Sequence, residues 1–330
     1  MKSLLVIALS LFLLFLISCG TSIEQDVTLY PITLTDQAGR EIDILEPTDR
    51  IVSGYYISSS VCIALGLTDR LVGIEARAET RPIYALAAPA LLDLPNVGTA
   101  RDFNLEACIA LEPNLVILPN HLRDAADILT DMGIPVILLN PESYEEIIEM
   151  FILIGKATDT QERAEQIAEY FEESRVEIEK VGANIADKPN VYVAGVSSWL
   201  STAPKDMYQS TLVEIAGGIN VAGDINGSSW MEISYEQLLA FNPDIIILPS
   251  EAGYEIDEVL NDPAIKELNA VKTNMVYKMP SDFEAWDSPI PASMLGARWL
   301  LHILHGDIYP FEYLQQATTE FYLEFFSIVA

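Results

Sequence analysis

Residues 104–120 read NLEACIALEPNLVILPN, and residues 234–250 read SYEQLLAFNPDIIILPS. Laid together without gaps, Glu106 falls on Glu236, Ala110 on Ala240, Pro113 on Pro243, Ile117 on Ile247, Leu118 on Leu248 and Pro119 on Pro249. Each copy has a residue suited to cap a helix (Asn104, Ser234), an acid two places on, an amphipathic turn, a proline and an apolar run. A capping side chain accepts from free first-turn amides. A short apolar run between turn residues is a buried strand. The same helix–strand unit therefore recurs in each half of the chain, which predicts two similar lobes.

The pattern extends outward from these segments. Apolar runs predict strands over 51–56, 71–75, 115–118 and 136–139 in the first half, and over 190–194, 245–248 and 275–278 in the second. Helical periodicity lies between them, over 59–65, 105–111 and 125–132. Strands alternating with helices predict parallel α/β sheets. Between the halves, residues 143–186 carry no strand signal. An amphipathic helix over 145–155 is expected to stop at Gly155. Asp159 then caps a long helical pattern running to about Val181. At 1.5 Å per residue it spans roughly 35 Å, a stiff connector.

The chain has 330 residues, with 18 Lys+Arg against 49 Asp+Glu and a formal net charge of -31. Half the residues are hydrophobic, so the chain buries a core. With no basic stripe to neutralise phosphates, no nucleic acid is expected as partner. The acids are dispersed and read as a self-repelling soluble surface. Lys2 precedes an apolar run from Leu4 to Ile17, broken by Ser10. That run is short for a membrane span and fits a signal peptide. Leu16-Ile17-Ser18-Cys19-Gly20 resembles the bacterial lipoprotein signal. Residues 1–18 are expected to be removed, Cys19 to carry lipid, and 19–28 to form the lipidated tether of an extracytoplasmic, membrane-anchored protein. Cys62 and Cys108 sit in apolar helical patterns and read as buried free thiols rather than a pair.

No G-x-S-x-G, phosphate loop, G-x-G-x-x-G or H-E-x-x-H is present, so no enzyme is expected. Ser58-Ser59-Ser60 reads as helix capping. His302 and His305, one helical turn apart over an expected helix 292–304, are ligand-compatible but read as surface residues at a helix end. No metal site is predicted.

Together, Arg50-Ile51-Val52-Ser53, Leu71-Val72-Gly73-Ile74, the Asn104–Leu118 unit, Leu212–Val221, Ser234–Leu238 and Asn242-Pro243-Asp244 resemble the substrate-binding proteins of ABC importers. The branch is the one that takes up iron–siderophores, haem and cobalamin. The resemblance implies an α/β fold of two Rossmann-like lobes joined by a long rigid α-helix, with the ligand cleft between them. The expected lobes are 29–158 and 186–330, with the bridging helix at 159–185. It implies capture of a metal chelate, foremost an iron(III)–siderophore, with haem, cobalamin or a nickel chelate as alternatives. A surface sensor or adhesin on the same fold is a further alternative. Expected partners are an ABC permease dimer with its ATPase, for a monomeric binding protein with no cofactor besides its lipid. Glu106 and Glu236 match the family's permease-docking glutamates; a stabilising charge at a helix start is the plainer reading.

Ligands in open α/β sheets sit at the carboxyl ends of strands. From the first lobe this places Tyr55, Tyr56, Arg77, Arg101 and His121 at the cleft. From the second come Trp199, Met207, Tyr208, Trp230, Glu251, Phe283 and Trp286. Aromatic walls suit a flat or greasy ligand, and Arg77 and Arg101 suit an anionic one. Each tryptophan has core packing as its alternative, Arg101 has Asp102 beside it, and only one of Tyr55 and Tyr56 is expected to face the cleft. Ala100-Arg101 stands where the cobalamin branch has a tryptophan.

Overall fold

The computed structural model describes residues 30–182 and 185–328; the expected signal peptide, Cys19 and the tether lie outside the described residues. In the first lobe β1 (Ile32–Thr35) and β2 (Glu41–Ile44) form an antiparallel hairpin. β3 (Ile51–Ser53), β4 (Leu71–Gly73), β5 (Leu115–Pro119) and β6 (Val136–Leu139) form a parallel sheet in the order β4-β3-β5-β6. The second lobe contributes β7 (Asn190–Val193), β8 (Ser201–Thr202), β9 (Ile219–Asn220), β10 (Met231–Glu232), β11 (Ile245–Leu248) and β12 (Val276–Lys278). Of these, β7, β9, β11 and β12 form a second parallel sheet in the order β12-β11-β7-β9. β8 pairs antiparallel with β10.

Counted along the chain, both parallel sheets have the strand order 2-1-3-4. β5 and β11 occupy the same place in that order. The sequence repeat is therefore a topological repeat: each unit is the third strand of its sheet with the helix before it (Leu105–Ala110 or Tyr235–Phe241). Every residue of β5, β6 and β11 is buried, because helices cover both faces of a parallel sheet. In each sheet the order reverses between its first and third strands, and the loops there diverge to leave a crevice.

Several expected boundaries move for local reasons. The strand expected over 51–56 ends at Ser53, and a helix starts at Tyr56. Gly54 lies where a Cβ would stand 2.4 Å from Leu118 Cδ2, so the chain leaves the sheet in close contact with β5. Gly155 does not end its helix, which runs from Tyr144 to Ala157 behind a Ser143–Glu146 capping box. A Cβ on Gly155 would stand 2.4 Å from Ala164 Cβ; the glycine permits close approach of the next helix.

That next helix, Gln161–Gly182, has 22 residues and is about 33 Å long. It buries Ala164, Ile167, Phe171 and Ile178. Phe171 packs edge-on to Phe151 at 5.0 Å and lies 6.1 Å from Tyr144. On its other side Arg298, from the helix Ser293–His305, donates to Ser174 Oγ at 3.2 Å and Glu177 Oε2 at 2.7 Å. A final helix, Phe311–Phe326, was not anticipated. It packs on the linking helix through Tyr170 and Phe321 (5.0 Å) and also contacts the first-lobe helix Tyr56–Ala64.

Candidate functional site

A cavity of about 450 Å³ lies between the lobes. The first lobe lines it with Tyr56 and Ser60, both from the helix after β3, and with the segment Thr80–Tyr84. The second lobe lines it with Glu251, just past β11, and with residues of the 281–290 loop. Four hydrogen bonds cross between the lobes here. Arg81 Nη1 donates to Glu251 Oε1 at 2.5 Å, and Ile83 N donates to Phe283 O at 3.2 Å. The Tyr56 hydroxyl and Ser288 Oγ lie 2.9 Å apart, and Ser60 Oγ donates to Glu284 Oε1.

Arg81 is the one cation lining the cavity among the described residues. Its guanidinium carbon sits 4.1 Å from the Tyr56 ring centroid, a cation–π contact. Burial opposes its charge, but Glu251, Tyr56 and Tyr84 outweigh that and raise its pKa. Burial lifts the Tyr56 phenol to about 12, so it stays neutral. Glu284 is only 7% exposed. Burial pushes its carboxyl up to about 7, against the opposing effects of the Ser60 bond and Arg81. Its second oxygen, Oε2, is buried with no partner.

A second buried acid is bonded to Tyr84, which lines the cavity. Glu75 accepts from Ser59 Oγ and the Tyr84 hydroxyl, each at 2.6 Å, and burial raises its pKa. Ser59 also reaches Ser53 Oγ at 2.8 Å, and Ser58 Oγ donates to Tyr55 O at 2.9 Å. The three serines therefore do not cap the helix as expected. The helix begins before them, so they face inward along its first turns and join buried groups to one another. Asp287 ties the loop to the end of β11, accepting from Ser250 Oγ at 2.6 Å.

Of the residues placed at the cleft from sequence, the cavity brings together Tyr56, Glu251 and Phe283. Tyr55 is buried beside its neighbour as the extended residue before the helix. Trp286 is buried and donates from Nε1 to the Tyr322 hydroxyl at 3.0 Å. Met207 and Tyr208 are core residues. Trp230 is half-buried against the same core, and Trp199 packs edge-on to Tyr254 at 5.2 Å. Arg77 and Arg101 are exposed and do not line the cavity. Exposed His121 bonds Ala100 O through Nε2 at 2.5 Å.

Arg81 replaces Arg77 and Arg101 as the cleft cation. Pro82 after it disfavours helical backbone at Arg81, which stands extended at φ -104, ψ 101 ahead of the helix Pro82–Ala87. The Arg-Pro pair at a helix start was the available signal. Ser60 and Glu284 carried no such mark, since only the meeting of the lobes makes them a pair.

His302 and His305 lie half-buried in the last turn of their helix rather than free at the surface: Nδ1 of His302 lies 3.0 Å from Tyr309 O, and Nε2 of His305 lies 3.1 Å from Gly217 O. Burial lowers the His305 pKa. Cys62 and Cys108 are free and buried, and burial lifts both thiols to about 12. Glu106 and Glu236 are exposed in the first turns of equivalent helices, capped by Asn104 and by the Ser234–Gln237 capping box. First-turn backbone bonding and Ser234 lower the Glu236 pKa.

Residues 51–283 match the model of the family described as periplasmic binding protein. The chain belongs to that family. This bears out the resemblance to substrate-binding proteins and their two-lobed fold. A curated relative, the molybdate-binding protein MolA of Haemophilus influenzae, is 25% identical, with 94% of this chain and 95% of MolA covered. Another, described as the uncharacterized ABC transporter substrate-binding lipoprotein YvrC of Bacillus subtilis, is 25% identical over 86% of this chain and 91% of its own. The crystal structure of a periplasmic solute binding protein from Veillonella parvula superposes with a TM-score of 0.77 at 25% identity, covering 91% of this chain and 94% of that one. This periplasmic binding protein thus has its cavity where the reversal of strand order in each lobe leaves room for a ligand.

Proposed function

We propose that this protein is the substrate-binding component of an ABC importer and that it captures an anionic, oxygen-ligated metal complex, foremost an iron(III)–siderophore. The observation that carries the reading is Arg81. It is fixed over Tyr56, and its carboxylate partner comes from the opposite lobe. An acidic oxygen of the ligand takes the place of Glu251 on that guanidinium, as planar forks bind paired oxygens. Phe283 and Ile290 supply apolar walls. About 450 Å³ falls within the ~300–1,000 Å³ of small-ligand sites.

Molybdate is a second reading, favoured by the relationship to MolA. A neutral corrin uses Arg81 poorly. The kinship with YvrC supports the import role and a lipid on Cys19, with capture outside the cytoplasm. Isothermal titration of the purified protein with a hexadentate iron(III) tris-catecholate, molybdate, haem and cobalamin tests the reading. The catecholate or molybdate is expected to bind most tightly. Tighter binding of cobalamin than of either anion overturns it.

A further inference from the structure

Glu284 is the acid that the import reading does not use. It lies on the second lobe, lines the cavity and is nearly inaccessible to water. One oxygen, Oε1, accepts from Ser60 across the lobe boundary. The other has no partner, although burying a polar atom unpaired costs about 1–3 kcal/mol. That unpaired oxygen, on a side chain that lines the cavity, has bonding capacity left for a ligand atom.

The surroundings decide what kind of atom. Ser60 bonds Glu284 and Arg81 acts on it through space, and Tyr56 of the helix Tyr56–Ala64 and Tyr84 of the helix Pro82–Ala87 line the same cavity. Glu251 lines the cavity from just past the end of β11, and Tyr322 of the final helix lies within reach of the Glu284 charge. Asp282 and Asp287 lie on the same loop, and Glu75 is beyond Tyr84. Acids outnumber cations here, and Arg81 is already engaged by Glu251. An ionised Glu284 repels an anionic ligand, whereas a protonated one offers a donor from its free oxygen. Burial favours the protonated form.

We propose that Glu284 is the specificity-determining acid of this site: protonated, it donates from Oε2 to an oxygen of the anionic ligand, and ionised, it expels that ligand. Binding is then linked to one proton, which the ligand-bound protein holds on Glu284. Ser60 orients the carboxyl and, by favouring its ionised form, sets the pH at which the ligand is lost. The inference rests on the reading of the site as one for an anionic metal complex.

Titrations with molybdate and with the iron(III) tris-catecholate from pH 6 to pH 9 test it, using the full mature protein. Molybdate stays a dianion over this range, so its slope reports the protein. The expected result is an affinity that falls about tenfold per pH unit above neutrality, the slope of a single linked proton. Glu284→Gln carries a permanent donor of the same shape and is expected to bind with that slope abolished. Ser60→Ala is expected to keep the slope but move its onset to higher pH, because a bond that favours the carboxylate is gone. Binding by the wild type with the same slope in Glu284→Gln overturns the role of Glu284 alone. If Glu284→Gln does not fold, an unmoved onset in Ser60→Ala overturns it. Failure of both complexes to bind at any pH overturns the anionic reading and this inference with it.

Discussion

Arg81 and Glu251 belong to different lobes, and their side chains, both lining the interlobe cavity, meet at 2.5 Å. The pair is partly exposed, so it adds little to stability, on the order of 0–1 kcal/mol. On the function proposed above, the one cation lining the cavity among the described residues is held in place by an acid that a ligand has to displace.

Arg81→Ala is therefore expected to weaken binding of the tris-catecholate or molybdate by ~1.5–3 kcal/mol, the worth of a charge-assisted bond. Glu251→Gln is expected to strengthen it severalfold, since the internal competitor loses its charge. Calorimetric affinities of the two variants check this. Equal losses in both would mean that the pair supports the fold and not the ligand.

The unliganded protein is expected to lose stability as pH rises from about 4.5 to about 7. The sign follows from Glu284, whose folded pKa lies near 7, above the ordinary carboxylate range. In that window the folded state holds more protons than the unfolded one, so raising pH favours unfolding. The size is on the order of 3 kcal/mol for this group. Glu75 acts in the same direction. Urea unfolding at pH 5 and pH 8 should show a larger drop in the wild type than in Glu284→Gln; identical drops would refute it.

Gly296 packs against the 281–290 loop that lines the cavity. A Cβ there would stand 2.4 Å from Trp286 O, a backbone atom that cannot yield cheaply. Gly296→Ala should displace the loop carrying Glu284 and Asp287 and cost ~1–3 kcal/mol of stability, the range of overpacking. Affinity should fall as well, although residue 296 does not line the cavity. Unchanged thermal unfolding and affinity would show that the loop moves freely.

Glu106 and Glu236 occupy equivalent exposed positions outside the cavity. Replacing both with alanine is expected to leave ligand affinity unchanged and to depress uptake through the permease. The comparison to make is calorimetric affinity against ligand transport in reconstituted vesicles. Normal transport in the double variant would reduce the two acids to charges that favour a helix start.

Cys19→Ser is expected to release the protein from membranes into the soluble fraction. Fractionation of cells expressing the variant checks this. Persistent membrane association would rule out lipid on Cys19 as the anchor.

The order of elements was legible from the chain alone. The runs at 115–118 and 245–248 are inner strands of their sheets and the run at 136–139 is an edge strand, and their continuous aliphatic composition reflects burial on both faces. The linking helix was legible from its period, and the repeat around Glu106 and Glu236 proved to be one topological position used twice. These features are local: period, caps and prolines act within a few residues of where they are read. Boundaries at glycines were not legible in the same way. Gly155 served close packing of two helices and Gly54 the exit from a sheet, and both reasons lie in residues distant along the chain.

The site itself was decided by tertiary structure. Tyr56, Glu251 and Phe283 could be placed near a cleft because strand ends gather there. Trp286 could not be told from a core residue until Tyr322, on a helix that was not foreseen, supplied its hydrogen-bond partner. Ser60 and Glu284 lie on opposite lobes, and nothing in either segment announces the other. The chain by itself determined that two α/β lobes would form and be held by a stiff helix, because burial patterns and helix signals are short-range. Which arginine would line the cavity, and which acid would lose its water, was settled only when the lobes met, because desolvation and charge pairing depend on what surrounds a group in space.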